Sequence, residues 1–147
     1  MKMTKLKLFI VVLCSFICGL AVSAVSQEKS LKPIRIDTTI PYSEMSTDFP
    51  AWPKEDIISG ESIHRYKTLH SGDITVELYE ADPLKLKIVD FPIDEFVTVV
   101  SGKLILTSIG EESQHFEVGD SVLVPKGFTG IWEMQGNFRE LIAFKNE

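Results

Sequence analysis

Apolar and polar residues alternate along the chain from residue 57 to near its C-terminal end. Segments with an apolar residue at every second position, or with nearly continuous apolar and β-branched residues, are typical of strands that bury one or both faces. No segment carries the apolar spacing of a helix of three turns. The strands predicted from this pattern are 63–70, 74–79, 84–88, 96–100, 103–108, 116–118, 121–124, 130–134 and 140–144.

Turn residues separate these segments. Gly102 tolerates a positive φ between two apolar strands, and Gly119 and Gly127 lie on either side of a short apolar segment. Short strands with such turns predict an all-β sandwich or barrel. Residues 25–56 are polar and contain four prolines, so we expect an extended arm that wraps the barrel and is anchored by Phe49 and Trp52.

The N-terminal residues have the pattern of a secretory signal peptide. Three lysines precede an apolar run over 8–20, and small residues at Val22 and Ala24 fit a cleavage site. The alternative is an uncleaved membrane anchor, but the run is shorter than the roughly 20 residues that a spanning helix needs. We expect a signal peptide at 1–24, an arm at 25–47 and one folded domain at 48–145, exported to the periplasm or outside the cell.

The charge and the cysteine content limit which binding partners and which disulfides we expect. Of the 15 basic and 21 acidic residues, three lysines lie in 1–24, so the predicted mature chain has 12 basic residues and a net charge of −9. Such a surface disfavours nucleic acid and anionic membranes, and no membrane association is expected after cleavage. Both cysteines also lie in 1–24, so the mature domain can form no disulfide.

Two spaced motifs carry a family resemblance. Glu95 is followed after six residues by Gly102, and Gly119 is followed after five residues by Pro125 and then by Gly127. With the phrases around them, these motifs resemble the cupin superfamily (RmlC-like), and the similarity covers roughly residues 48–145. The nearest likeness is to the (S)-ureidoglycine aminohydrolase cupin domain subgroup. The resemblance implies a single jelly-roll β-barrel with a pocket at one mouth.

The resemblance also implies a metal site, which this sequence does not complete. In metal-bearing cupins three histidines and one glutamate point into the pocket. Glu95 matches the glutamate, whereas the positions that match the histidines hold no histidine: Ile88 and Asp90 or Val89 and Phe91, and Gly130. We therefore expect no metal and no cofactor. A divalent metal would need a rebuilt site of Glu95, Asp90 and His64.

The remaining site candidates follow from the same pattern. Glu95 is either a pocket acid or base, or a structural carboxylate with hydrogen-bond partners. Trp132 should share the inward face with Gly130, which we expect to leave space there, and is either a ligand wall or plain core. Tyr79 is a second wall candidate. His64 could reach the pocket from its own strand, whereas His115 should be exposed.

Three functions are compatible with these residues. The first is a metal-free cupin that binds a small polar organic molecule, with Glu95 as anchor and with Trp132, Tyr79, His64 and Asp90 near the ligand. The second is a metal-dependent enzyme similar to the aminohydrolases or lyases of the superfamily, with Glu95 as catalytic acid or base. The third is a structural module that forms a homodimer through an edge strand. The sequence leaves open whether the protein is an enzyme.

Overall fold

A computed structural model of the chain describes residues 32–146. The predicted signal peptide and the first residues of the predicted arm lie outside this range. No helix within it is long and apolar enough to cross a membrane. The described elements are two short 3₁₀ helices, Tyr42–Glu44 and Lys54–Asp56, and strands β1 Ile57–Gly60, β2 His64–Ser71, β3 Ile74–Ala81, β4 Leu84–Ile88, β5 Glu95–Ser108, β6 Gln114–Phe116, β7 Ser121–Val124 and β8 Gly130–Lys145.

Two long strands, β5 and β8, organise an antiparallel β-structure with two halves. The second half of β8 pairs with β3 and with the first half of β5, and β2 and β7 extend this sheet at its two ends. The first half of β8 pairs with β4 and with the second half of β5, and β1 and β6 extend that sheet. This all-β architecture is the jelly-roll arrangement predicted from the sequence.

Each long strand bends where it passes from one half to the other. The register of β5 against β8 shifts around Ser101, and Gly102 and Gly136 both have a positive φ, of 72° and 71°. A Cβ atom at Gly102 would lie 2.5 Å from the carbonyl oxygen of Gln135, so only glycine fits this close approach. The predicted turn at Ser101–Gly102 is therefore a bend inside one strand.

Most predicted strands match observed ones. The limits of β4 and β7 agree with the prediction, and those of β2 differ by one residue at each end. Predicted strands 96–100 and 103–108 form one strand, β5, and predicted strands 130–134 and 140–144 form β8. Strand 116–118 is misplaced: β6 ends at Phe116, because Val118 is 64% exposed and Gly119 turns the chain at a φ of 94°.

The described part of the predicted arm lies against the outer face of β2, β3 and β8. The guanidinium of Arg139 donates hydrogen bonds to the backbone carbonyls of Thr38 and Ile40, at 3.1 and 3.0 Å, and to the carboxylate of Glu80. Arg65 also donates to Glu80, at 2.9 Å. We call Arg65, Glu80 and Arg139 the outer-face network. Its carboxylate, only 3% exposed, is paired with two cations.

The hydrophobic core lies between the inner faces of the two sheets. It is centred on completely buried side chains such as Phe138, Val97 and Leu104. Burial of one such side chain contributes about 1.5–3 kcal/mol to the free energy of unfolding. Toward one end of the barrel the core gives way to a cavity.

Candidate functional site

The inner face of the barrel encloses a cavity of about 360 Å³. Its wall is predominantly apolar, with aromatic side chains on several sides, but three glutamate carboxyl groups and Asp56 also line it. The aromatic residues are Phe49, Trp52, Tyr79, Phe91, Trp132 and Phe144, and the glutamates are Glu77, Glu95 and Glu140. Small-molecule sites in proteins commonly have this composition, with apolar walls and a few polar groups.

Strand alternation directs the three carboxyl groups inward. Side chains two residues apart on a strand share one face, so Phe138, Glu140 and Ile142 of β8 all face the interior. Glu140 lies opposite Tyr79 of β3 and Val99 of β5. Further along the same face, Glu77 lies opposite Ile142, and Glu95 lies opposite Phe144. The carboxyl groups are thus spread along the cavity.

Glu95 is buried, with 8% of its surface exposed, and it lines the cavity. Burial raises its pKa from 4.5 to about 7, and the negative charge of Glu77 adds to this rise. No hydrogen bond from the described residues offsets the effect. The structure thus lacks the hydrogen-bond partners expected of a structural carboxylate, and Glu95 changes its charge near neutral pH.

Glu140 is a second buried carboxyl, which the sequence analysis missed. It is 3% exposed, and its Oε2 atom has no hydrogen-bond partner among residues 32–146. Burial raises its pKa well above 4.5, and the charge of Glu95 raises it further. Its position between Phe138 and Ile142 at two-residue spacing was the available sequence signal, since such a residue shares their inward face.

Tyr79 and His64 form a buried hydrogen-bonded pair. The Tyr79 hydroxyl lies 3.0 Å from Nδ1 of His64, and Tyr79 lines the cavity whereas His64 does not. Burial raises the pKa of Tyr79 and lowers the pKa of His64, so both groups are held neutral. The ring of Phe49 packs edge-on against both of them. His64 therefore lies behind Tyr79 and Phe49, which both line the cavity.

The two tryptophans of the chain both line the cavity. Trp132 is buried, and its ring lies 5.5 Å from the ring of Phe91, centroid to centroid. The Nε1 atom of Trp52 is buried without a hydrogen bond of normal geometry among the described residues. The structure places Trp132 both in the core and in the cavity wall.

Two sequence expectations are wrong in their geometry. Asp90 is exposed, has a φ of 53° and is not among the residues that line the cavity. Gly130 leaves no space on the inward face, because a Cβ atom there would lie 2.1 Å from the carbonyl oxygen of Thr107. A glycine is required at position 130 by this close approach of two backbones.

The donor atoms present do not fit the metal centre that the cupin fold implies. The positions that match its histidines carry none, and Asp90 and His64 lie outside the cavity lining that contains Glu95. Within residues 32–146, no three His, Cys, Asp or Glu side chains are arranged to hold a metal ion. His115 is exposed, as predicted, and is not among the residues that line the cavity.

An antiparallel β-barrel with an acidic, aromatic-lined cavity is the class of protein that these features define. Residues 74–140 match the family model of the EutQ-like cupin domain. The structure is similar to that of an ethanolamine utilization protein Q from Salmonella typhimurium, at 17% identity and a TM-score of 0.50, over 56% of this chain and 69% of that chain. It is also similar to a protein of unknown function from Pseudomonas syringae pv. tomato, at 18% identity and a TM-score of 0.65.

The second similarity covers 75% of this chain and 46% of the Pseudomonas chain, so the present chain spans less than half of that protein. No curated protein matches the sequence. At these identities the structural likeness establishes the fold alone. Together, the family match and the fold support the cupin superfamily predicted from the sequence.

Proposed function

We propose that this protein binds a small polar organic molecule in the barrel cavity, with Glu95 as the polar anchor. The observation that carries the proposal is a buried carboxyl group that faces a cavity and accepts no hydrogen bond from residues 32–146. Burial of such a group is costly unless something pairs with it, and a bound ligand would supply the pairing. Trp132 and Tyr79 would form walls around the apolar part of the ligand.

The size of the cavity limits the ligand. At about 30 Å³ per water molecule, 360 Å³ corresponds to about twelve waters, or to a ligand of about that many non-hydrogen atoms. Sugars of several units, nucleotides and peptides are larger than this. The proposed ligand is therefore a metabolite of low molecular weight.

We further infer that binding takes place outside the cytoplasm, after removal of residues 1–24. The likeness to the ureidoglycine aminohydrolase subgroup belongs to this proposal as well, since the family match supports only the broader superfamily. The homodimer through an edge strand stays a prediction, which analytical ultracentrifugation of the mature chain would test.

A catalytic role is the second candidate, favoured by the pair of carboxyl groups. Glu95 and Glu140 both face the cavity, and the charge of Glu95 raises the pKa of Glu140. Two acids whose pKa values are displaced from 4.5 in this way can exchange a proton with a substrate. Elemental analysis of the purified protein would test the metal-dependent form of this alternative, which requires a stoichiometric divalent ion.

The test is a ligand screen by ¹H–¹⁵N correlation spectroscopy on the mature chain. Small amines, alcohols, amides and carboxylates of up to about twelve non-hydrogen atoms are added in turn. Because both tryptophans line the cavity, their two indole N–H signals report directly on binding there. We expect at least one compound class to shift both signals in a saturable manner.

Two variants test whether a compound found in the screen binds at Glu95. Glu95→Gln keeps the shape of the side chain and removes its charge, so affinity for a hit should fall at least tenfold. Glu133→Gln is the matched control, since Glu133 lies on β8 outside the cavity and pairs with Lys85 at 2.8 Å. If the tightest-binding hit binds Glu95→Gln as tightly as the wild type, or if the shifts are confined to surface residues, the proposal is refuted.

A further inference from the structure

The buried carboxyl groups on the two faces of this sheet differ in their hydrogen-bond and ion-pair partners. Glu80 and Glu140 are each 3% exposed, and each lies on a strand of the same sheet. On the outer face, the guanidinium groups of Arg65 and Arg139 neutralise Glu80. On the inner face, Oε2 of Glu140 has no partner among residues 32–146, and no hydrogen bond or cation from this part of the chain lowers the pKa of Glu95.

None of the described residues that line the cavity is a buried cation. Lys87 is the one basic residue among its lining residues, and it is exposed on β4 at the edge of the cavity. A carboxylate ligand would bring a further negative group beside Asp56, Glu77 and Glu95, and a neutral ligand would leave the ionised ones among them uncompensated. A cation would compensate them, as the arginines do on the outer face.

The aromatic walls favour the same class of ligand. The rings of Phe91 and Trp132 pack at a tilt, with their centroids 5.5 Å apart, and the rings of Trp52 and Phe144 also line the cavity. A cation near the face of an aromatic ring is attracted by its quadrupole, most strongly when both are removed from water. Aromatic rings also contact the apolar body of an organic cation, which a hydrated metal ion lacks.

The spacing of the carboxyl groups argues against a single compact ion. Glu140 of β8 pairs with Val99 of β5. Glu95 is the first residue of β5 and lies four residues before Val99. Four residues of strand correspond to about 13 Å along the sheet. The described residues likewise hold no three-residue metal cluster. An organic molecule with some length can contact both ends of such a cavity.

We propose that the cavity ligand is a small organic amine, whose ammonium group pairs with Glu95 and whose apolar body lies against Trp132 and Phe91. This inference rests on the proposed function, because it names the ligand class of the same site. Asp56 and Glu77 supply further carboxyl groups to the cavity wall, and Glu140 supplies a buried one that can hydrogen-bond the ligand. The ammonium group occupies the role that Arg139 has toward Glu80.

The experiment compares three probes of nearly equal size: benzylamine, benzyl alcohol and benzoate. Dissociation constants are measured by titration of tryptophan fluorescence at pH 8. We expect benzylamine to bind at least tenfold more tightly than benzyl alcohol, and benzoate to bind most weakly. Glu95→Gln should weaken benzylamine at least tenfold and change benzyl alcohol less than about twofold, and Glu133→Gln should change neither.

The pH dependence gives an independent readout. With a pKa of about 7, the ionised fraction of Glu95 rises from about one in eleven at pH 6 to about ten in eleven at pH 8. Affinity for benzylamine should therefore rise about tenfold over this range, and affinity for benzyl alcohol should not. The other titratable groups that face the cavity are Asp56, Glu77, Tyr79, Lys87 and Glu140.

The outcomes separate the two proposals. If benzyl alcohol or benzoate binds as tightly as benzylamine, the amine inference is overturned while small-molecule binding stands. If none of the three binds and the spectroscopic screen also finds no cavity ligand, both proposals fail. Equal benzylamine affinity in Glu95→Gln and the wild type would overturn the role of Glu95 in either proposal.

Discussion

The buried carboxyl group of Glu95 should make the barrel less stable as pH rises, which Glu95→Gln tests. Burial raises the pKa of Glu95 from 4.5 to about 7 in the folded state. The folded protein therefore holds this proton more tightly than the unfolded chain does. The stability that the protonated group contributes is fully present below pH 4.5 and is lost as pH rises toward 7.

The size of this change in unfolding free energy follows from the shift in the pKa of Glu95. A difference of about 2.5 pKa units, at 1.36 kcal/mol per unit, corresponds to about 3 kcal/mol of unfolding free energy. Glutamine at position 95 does not titrate. The unfolding free energy of Glu95→Gln minus that of the wild type should therefore increase by about 3 kcal/mol between pH 4.5 and pH 8.

Other groups titrate in the same range, and the comparison with the variant removes their effect. Burial lowers the pKa of His64, so its contribution is lost as pH falls below 6.5, which is the opposite direction. Glu140 acts in the same direction as Glu95, because its pKa is raised. Both groups are present in the wild type and in the variant, so most of their contribution cancels in the difference.

The assay is urea unfolding at half-unit steps of pH, monitored by the fluorescence of Trp52 and Trp132, which both line the cavity. Glu133→Gln is the control: its ion pair with Lys85 lowers the pKa of Glu133, so its own titration lies below pH 4.5. Above pH 6 this variant should run parallel to the wild type. A Glu95→Gln curve that also runs parallel to the wild type, within about 0.5 kcal/mol, would refute the reasoning.

Three further substitutions test the packing around the site, each by urea unfolding at pH 7. Tyr79→Phe leaves Nδ1 of the buried His64 without its partner and should cost about 1–3 kcal/mol. Arg139→Gln removes one of the two cations that pair with Glu80 and should cost about 1.5–3 kcal/mol, with faster amide exchange over 38–46. Gly130→Ala should cost at least about 1 kcal/mol more than Gly110→Ala, whose Cβ would meet nothing within 4 Å and whose cost is the strain of a φ of 78° alone. Losses below about 0.5 kcal/mol in any of the three would contradict the contact named for it.

The strands and the fold class could be predicted because the alternation is strong where only one face is buried. Strand β4 has this pattern, with Leu84, Leu86 and Ile88 buried and the lysines between them more exposed. The long strands were divided in two because Gly102 reads as a hairpin turn. Sequence cannot distinguish a bend with a positive φ inside a strand from a turn between strands, since both need the same residue.

The site could be predicted only in part, and Gly130 shows one reason. A glycine at a family position for histidine suggests a vacated ligand site, but here the glycine is required because the backbone of Thr107 approaches within contact distance. That approach depends on the pairing of β5 with β8, which lies between residues far apart in the sequence. Asp90 lies beyond the end of β4, is exposed and has a φ of 53°, and the sequence pattern does not reveal where the strand ends.

Glu140 was missed because the outer face of its sheet is also covered. Residues on both faces of β3 are buried: Leu78, Tyr79, Glu80 and Ala81. Because both faces are covered, the pattern of residues does not distinguish the inner face from the outer one. Alternation assigns Glu80 and Glu140 to different faces, but it does not say which face encloses a cavity. The difference lies in pairing: two arginines neutralise the outer carboxylate, whereas Oε2 of the inner one has no partner in the part of the chain that the structure describes. A chain that neutralises one buried acid and leaves another without a partner retains the second at a cost in stability, and a ligand that supplies the missing charge would offset that cost.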